Sequence, residues 1–160
     1  MRLIEAKDDP QMGRIIRQVM TEFNAVGEGY SIQDPEVDAM TAAYSDDRAA
    51  YFVIEDSSGQ LVGGAGYAQL AGADTDICEL RKMYLIEGGR GAGLGRILLE
   101  TCLEGARQDG YQRCYLETLD HMTSARRLYE ANGFKRINKP LGATGHFGCD
   151  AWYELPLVSG

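Results

Sequence analysis

Histidine occurs only twice in the 160 residues and cysteine four times, and neither type is clustered. Cys78, Cys102, Cys114 and Cys149 are dispersed through apolar segments, with no Cys-x-x-Cys and no Cys/His grouping, so no metal is expected. Long apolar runs are also missing. The N-terminal stretch Met1-Arg2-Leu3-Ile4-Glu5-Ala6-Lys7-Asp8-Asp9 suits neither a signal peptide nor a membrane span. Reduced cysteines, a cytoplasmic location and no membrane partner are the corresponding expectations. Basic charge is in deficit, with 16 Lys and Arg against 24 Asp and Glu and a formal net charge of −8. That balance argues against nucleic acid, which requires concentrated Lys and Arg, and mildly suits a cationic amine. No internal repeat, low-complexity tract or linker divides the chain, so residues 1–160 read as one domain with its own core.

Two phosphate-binding signatures are absent as well. No glycine is followed by Lys-Ser or Lys-Thr, which removes the P-loop. A dinucleotide fingerprint would need glycine at 96 or 98, where Arg96 and Leu98 stand.

What is present is Arg90-Gly91-Ala92-Gly93-Leu94-Gly95-Arg96, placed between a strand-like run and a helical one. Alternate glycines permit a sharp turn and a close backbone approach. The first amides of the following helix lack helical partners and sit at its positive end. With Arg90 and Arg96 alongside, this makes a seat for a diphosphate, or else a plain glycine-rich connection with two solvated arginines.

Around this loop the pattern alternates. Residues 2–7 read as a first strand. Asp9-Pro10 reads as a capped helix start, with Ile15, Ile16, Val19, Met20 and Phe23 on one face up to about Gly27. Asp34-Pro35 opens a second, shorter helix carrying Val37, Met40, Thr41 and Tyr44. Strands follow at 51–55, 60–70 and 75–86, the first two joined by the turn Asp56-Ser57-Ser58-Gly59. The helix after the glycine loop is expected to bury Leu94, Ile97, Leu98, Thr101, Cys102 and Gly105. A strand at 111–118 precedes a helix capped by Asp120 or Thr123 and ended by Asn132-Gly133. Strands from Phe134 to Ile137 and from Cys149 to Leu157 complete the chain. The succession implies a mixed sheet flanked by helices.

Arg90-x-x-Gly93-x-Gly95 and Ala125-x-x-Leu128-Tyr129-Glu130-x-x-Gly133-Phe134 together resemble the GNAT superfamily of acyl-CoA-dependent N-acetyltransferases. The resemblance covers residues 51–137 well and both ends loosely. It implies an α/β (α+β) GNAT fold, with a twisted, mostly antiparallel mixed sheet of about seven strands. It also implies acetyl-CoA as co-substrate, a small-molecule primary amine as acceptor, direct transfer without a covalent enzyme intermediate, and a homodimer as in many members. A protein or peptide amine, or a CoA-binding domain without turnover, are the alternatives.

By that resemblance Met83, Tyr84 and Leu85 line the pantetheine arm, and residues 90–96 hold the pyrophosphate. Ala125, Tyr129 and Met122 complete the donor site, with Met122 standing where members often have asparagine. Ile86-Glu87-Gly88-Gly89 replaces a common proline. Tyr129 is the general acid for the sulfur, or a plain core tyrosine. Glu79 is the general base, or the partner of Arg81 in an ion pair. Strict alternation puts Glu79, Arg81, Met83 and Leu85 on one face. Phe23, Tyr30, Glu79, Arg81 and His146 are the expected acceptor contacts. Cys149, close to His146 and Asp150, is the one local candidate for a covalent route.

Overall fold

The computed structural model describes residues 1–158. Seven strands form one sheet: β1 (Arg2–Leu3), β2 (Ala50–Glu55), β3 (Leu61–Gln69), β4 (Ile77–Leu85), β5 (Arg113–Thr118), β6 (Lys135–Ile137) and β7 (Ala151–Pro156). Their order is β1-β2-β3-β4-β5-β7-β6, and only β4 and β5 run parallel. Helices α1 (Asp9–Glu22) and α2 (Met40–Ala43) cover one face, while α3 (Leu94–Gln108) and α4 (Thr123–Ala131) cover the other. This is the expected mixed, mostly antiparallel sheet of seven strands flanked by helices, and the sheet is open.

Each helix is held by one apolar stripe. Met12, Ile15, Ile16, Val19 and Met20 recur at helical spacing and pack with Val37, Met40, Tyr51 and Val53. On the opposite face Leu98, Leu99, Cys102, Leu103 and Ala106 pack on Leu80, Leu116, Tyr129 and Tyr153. The α3 stripe is rotated by about one residue from the sequence expectation, leaving Ile97 45% exposed.

Several boundaries differ from the sequence reading. The first strand stops at Leu3, because Asp8 draws residues 5–8 into a 3-10 turn. Its carboxylate accepts from the Glu5 amide at 2.8 Å and from Arg2 at 2.7 and 2.9 Å. Asp9 is itself the first residue of α1, not its cap, and its carboxylate accepts from the amide and hydroxyl of Thr41. That helix ends at Glu22, before Gly27. The second helix is broken at Ala39 (φ −146°), giving a 3-10 turn at Pro35–Asp38 and then α2. Neither Asp120 nor Thr123 caps α4, where Met122 holds the cap position. β5 begins at Arg113 and β7 at Ala151. Asn132-Gly133 ends α4 as expected, with Gly133 at φ 92°.

Two irregularities open the centre of the sheet. β4 pairs with β5 only from Ile77↔Arg113 to Glu79↔Tyr115, after which the parallel strands separate. Beyond that point β4 carries a bulge: Gly66 faces Arg81 while Gly64 faces Tyr84, and Lys82 adopts φ 47°. The extra residue reverses the side-chain alternation. Leu80, Met83 and Leu85 therefore lie against the α3 face, while Tyr84 joins the α1 face. Glu79 and Arg81 do not share a face with Met83 and Leu85, contrary to the alternation expected from sequence.

The bulge is fixed from the neighbouring strands. The Tyr51 hydroxyl donates to the Lys82 carbonyl at 2.7 Å in the interior. Tyr51 can lie there because Gly64 and Gly66 have no side chain. A Cβ on either would come within 2.6 and 2.5 Å of its ring. The Tyr51→Phe variant leaves that carbonyl without its hydroxyl donor and should lower stability by about 1–3 kcal/mol. Urea unfolding measures this, and a change below about 0.5 kcal/mol would show that the bulge does not need the hydroxyl.

Candidate active site

The separation of β4 and β5 makes a cleft with two chambers that meet at Tyr129. The first runs beside the glycine loop. It is lined by Met83, Tyr84 and Leu85 from β4, by Arg90, Gly91 and residues 93–96, and by Met122, Ser124, Ala125, Leu128 and Tyr129 around α4. Gly91 (φ 82°) and Gly93 (φ 78°) take the left-handed backbone that favours glycine, and Gly93 is the cap residue of α3. Among the described residues, the amides of 91–96 donate to no protein acceptor. A row of free N–H groups at a helix start is an anion seat. Ala92 is exposed and lies outside the lining, and Ser124 is a lining residue that the sequence reading did not select.

The two arginines behave differently from a simple phosphate patch. Arg90 donates to the Leu85 carbonyl at 3.0 Å and makes a two-point contact with Glu22 at 2.6 and 3.0 Å. Its guanidinium also lies 5.4 Å from the centre of the Phe23 ring. Arg90 thus ties the loop to the end of α1. Arg96 is exposed and paired with Glu100 at 2.7 Å. The backbone amides and the helix dipole are left as the main anion-binding groups.

At the junction, Tyr129 is buried between Phe134 and Tyr153, with ring centroids 6.0 and 6.3 Å away. It lines both chambers, as do Val19, Phe23, Met83, Tyr84 and Met122. Burial, with a smaller contribution from Tyr84, holds the Tyr129 phenol well above its ordinary range. The hydroxyl is therefore protonated at neutral pH, as a donor must be. Tyr84 turns its hydroxyl to Ser31 Oγ at 3.1 Å, and burial pushes it up to about 12.

The second chamber holds charged side chains. Glu79 is buried, and its Oε2 accepts from Arg81 Nε at 2.9 Å. Burial raises the Glu79 carboxyl, partly offset by Arg81. Arg81 also donates to the Gln69 carbonyl at 2.9 Å. Lys82, at the bulge, has a side chain only 2% exposed and reaches Asp34 at 2.8 Å and Glu36 at 2.7 Å. His146 meets Asp34 at 2.9 Å through Nε2 and Glu117 at 3.6 Å through Nδ1. Burial pulls its pKa down, but the hydrogen bond to Asp34 and the Glu117 carboxylate outweigh this and raise it to about 9.

Two loops roof this chamber and grip one another. The Gly148 amide donates to the Gly29 carbonyl at 2.8 Å. The Phe147 ring lies on Gly29 and the Tyr30 ring on Gly148, each where a Cβ would come within 2.6 Å. Phe23, Tyr30, Glu79, Arg81 and His146, the expected acceptor contacts, all line the chamber. Asp34, Lys82 and Glu117 were missed. Asp34 reads as a helix cap in sequence and Lys82 as an ordinary strand residue. Glu117 carried a signal, as a carboxylate inside an otherwise apolar strand.

Two further groups can be placed. His121 lies outside the cleft lining and contacts the Phe23 carbonyl at 2.9 Å, joining the start of α4 to the end of α1. The Cys149 thiol is pushed up to about 12 by burial and then by Glu117 and Glu79, so it lacks the thiolate a covalent route needs. Glu79, Glu117 and His146 each bring a ligand-type atom within 4.8 Å of the others, but Arg81 already occupies Glu79. No helix among the described residues is long and apolar enough to cross a membrane.

Comparison with known proteins agrees with this geometry. The model of the Acetyltransferase (GNAT) family matches residues 15–134. An uncharacterized N-acetyltransferase of Escherichia coli K12, YjgM, is 43% identical over 151 residues, covering 94% of this chain and 90% of that protein. A GNAT acetyltransferase from Staphylococcus aureus Mu50 superposes with a TM-score of 0.81 at 20% identity, covering 98% and 97% of the two chains. A GNAT superfamily phosphinothricin acetyltransferase from Sinorhizobium meliloti, determined in complex with AcCoA, gives 0.77 at 22% identity and covers 97% and 86%. The chain therefore belongs to the GNAT family of acetyltransferases, and the protein is an acyltransferase.

Proposed function

We propose that this enzyme transfers the acetyl group of acetyl-CoA directly to the primary amine of a small molecule. The observation that carries the reading is the row of unpaired amides at residues 91–96. It opens into a groove that leads to the Tyr129 hydroxyl. The donor supplies an activated thioester, and family members generally use acetyl-CoA.

The protein's own groups then have definable tasks. Holding the amine and the thioester in line removes much of the entropic barrier. Glu79 Oε1, the oxygen not taken by Arg81, can accept the proton of an entering ammonium, directly or through water. β4 separates from β5 after Glu79, so strand amides near Met83–Leu85 are freed to hold the carbonyl oxygen as it gains charge. When the carbon–sulfur bond breaks, Tyr129 gives its proton to the sulfur; the new amide nitrogen releases its second proton to solvent, which reprotonates Tyr129, and Glu79 releases the first to solvent. A small acceptor is favoured over a protein tail by the roof, where the loops around Gly29 and Gly148 are hydrogen-bonded together.

Replacing Tyr129 with Phe should lower kcat by about 10²-fold or more while CoA affinity stays nearly constant. Steady-state thiol release with calorimetry separates the two, and an unchanged kcat would remove the acid role. Gly93→Val should abolish acetyl-CoA binding, since the side chain enters the anion seat and φ 78° strains any residue but glycine. Undiminished binding by calorimetry would count against the loop as the pyrophosphate site.

A further inference from the structure

The formal charges around the second chamber do not balance. Asp34, Glu36, Glu79 and Glu117 contribute four negative charges, and Arg81, Lys82 and protonated His146 contribute three positive ones. The excess charge has a location. Lys82 is shared by Asp34 and Glu36, Arg81 is committed to Glu79, and His146 lies closest to Asp34. Among the described residues, Glu117 is left with a side chain 4% exposed and an Oε1 that has no hydrogen-bond donor within 3.5 Å, the cation paired with it being His146, whose Nδ1 lies 3.6 Å away. A buried carboxylate oxygen in this state is costly, and a ligand that supplies donors recovers the cost.

This carboxylate lines the same chamber as Tyr129 and has an oxygen within 4.8 Å of Glu79. The same chamber has an apolar wall of Val19, Met20, Phe23, Leu119 and Met122. Methylene groups suit those walls, and an ammonium, with three donors on a compact cation, suits Glu117. A substrate carboxylate does not, because among the described residues Arg81, Lys82 and His146, the cations at the chamber, are already paired. It would add a second uncompensated anion to a site of low dielectric.

Resting on the proposed transferase reading, we propose that Glu117 anchors the cationic nitrogen of the acceptor, and that the acceptor class is a primary alkylamine with no carboxylate beside its amine. A divalent metal is the other chemistry that two carboxylates and an imidazole can hold. It is disfavoured here, because Arg81 sits 2.9 Å from Glu79 and His146 favours its protonated form between two carboxylates.

The test uses 1-aminopentane and norleucine, which differ by one carboxylate next to the only amine. Calorimetry on the whole protein should show 1-aminopentane binding at least about tenfold more tightly than norleucine. Glu117→Gln should weaken 1-aminopentane by at least about tenfold, with acetyl-CoA affinity unchanged. Equal or tighter binding of norleucine, undetectable binding of 1-aminopentane, or an unaltered affinity in E117Q would each overturn the assignment. So would stoichiometric binding of Zn²⁺ that E117Q abolishes. Because acetyl-CoA is titrated separately, its failure to bind would count against the donor site, whereas a wild-type protein that binds acetyl-CoA but not 1-aminopentane would count against Glu117.

Discussion

One hydrogen bond, from the Tyr51 hydroxyl to the Lys82 carbonyl, sets the geometry on which both halves of the site depend. It holds a non-glycine residue in left-handed backbone in the middle of a buried strand. That conformation is costly and persists only where the surroundings over-determine it. Here they do. Gly64 and Gly66 clear the space for the tyrosine ring, and the Lys82 ammonium is held at its far end by Asp34 and Glu36. The bulge turns Met83 and Leu85 toward the groove beside the glycine loop and leaves Glu79 and Arg81 in the second chamber.

The chambers are built by different physics. The groove beside the glycine loop presents backbone: free amides, a helix dipole and a loop whose entry is tied down by Arg90 to Glu22 and Leu85. Such a site asks little of side-chain identity beyond small size, because any polypeptide supplies amides. The second chamber presents buried charges from four separate segments. Desolvating them is expensive, and removing one partner strands another. The same network closes the roof. His146 ties the loop before β7 to Asp34, and Gly148 ties it to Gly29. Chamber shape and charge pattern are thereby coupled, so a change in one charged residue affects loop position as well as ligand recognition.

The division between what could and could not be read from sequence follows the same line. The glycine loop and the Ala125–Phe134 segment were legible because their chemistry depends on local spacing along one turn or one helix. Tyr129, Glu79 and His146 were legible as candidates for the same reason. The α3 stripe was displaced by a residue because the β2–β4 surface, not periodicity alone, selects which face is buried. The alternation expected through Arg81, Met83 and Leu85 failed because a bulge is fixed by a tyrosine more than thirty residues away. Asp34 looked like a cap, yet its carboxylate serves a histidine 112 residues on.

By itself, then, the sequence determined the family and the order of elements, and it singled out the glycine loop and Tyr129 as candidates, all through patterns among near neighbours. The tertiary structure alone decided that β4 breaks its alternation, that the two arginines of the loop are engaged by glutamates, and that Glu117 Oε1 lies buried with no donor within 3.5 Å among the described residues. Those outcomes depend on which distant segments share one small volume of low dielectric. Charge pairing there is set by three-dimensional proximity, which residue order does not encode locally.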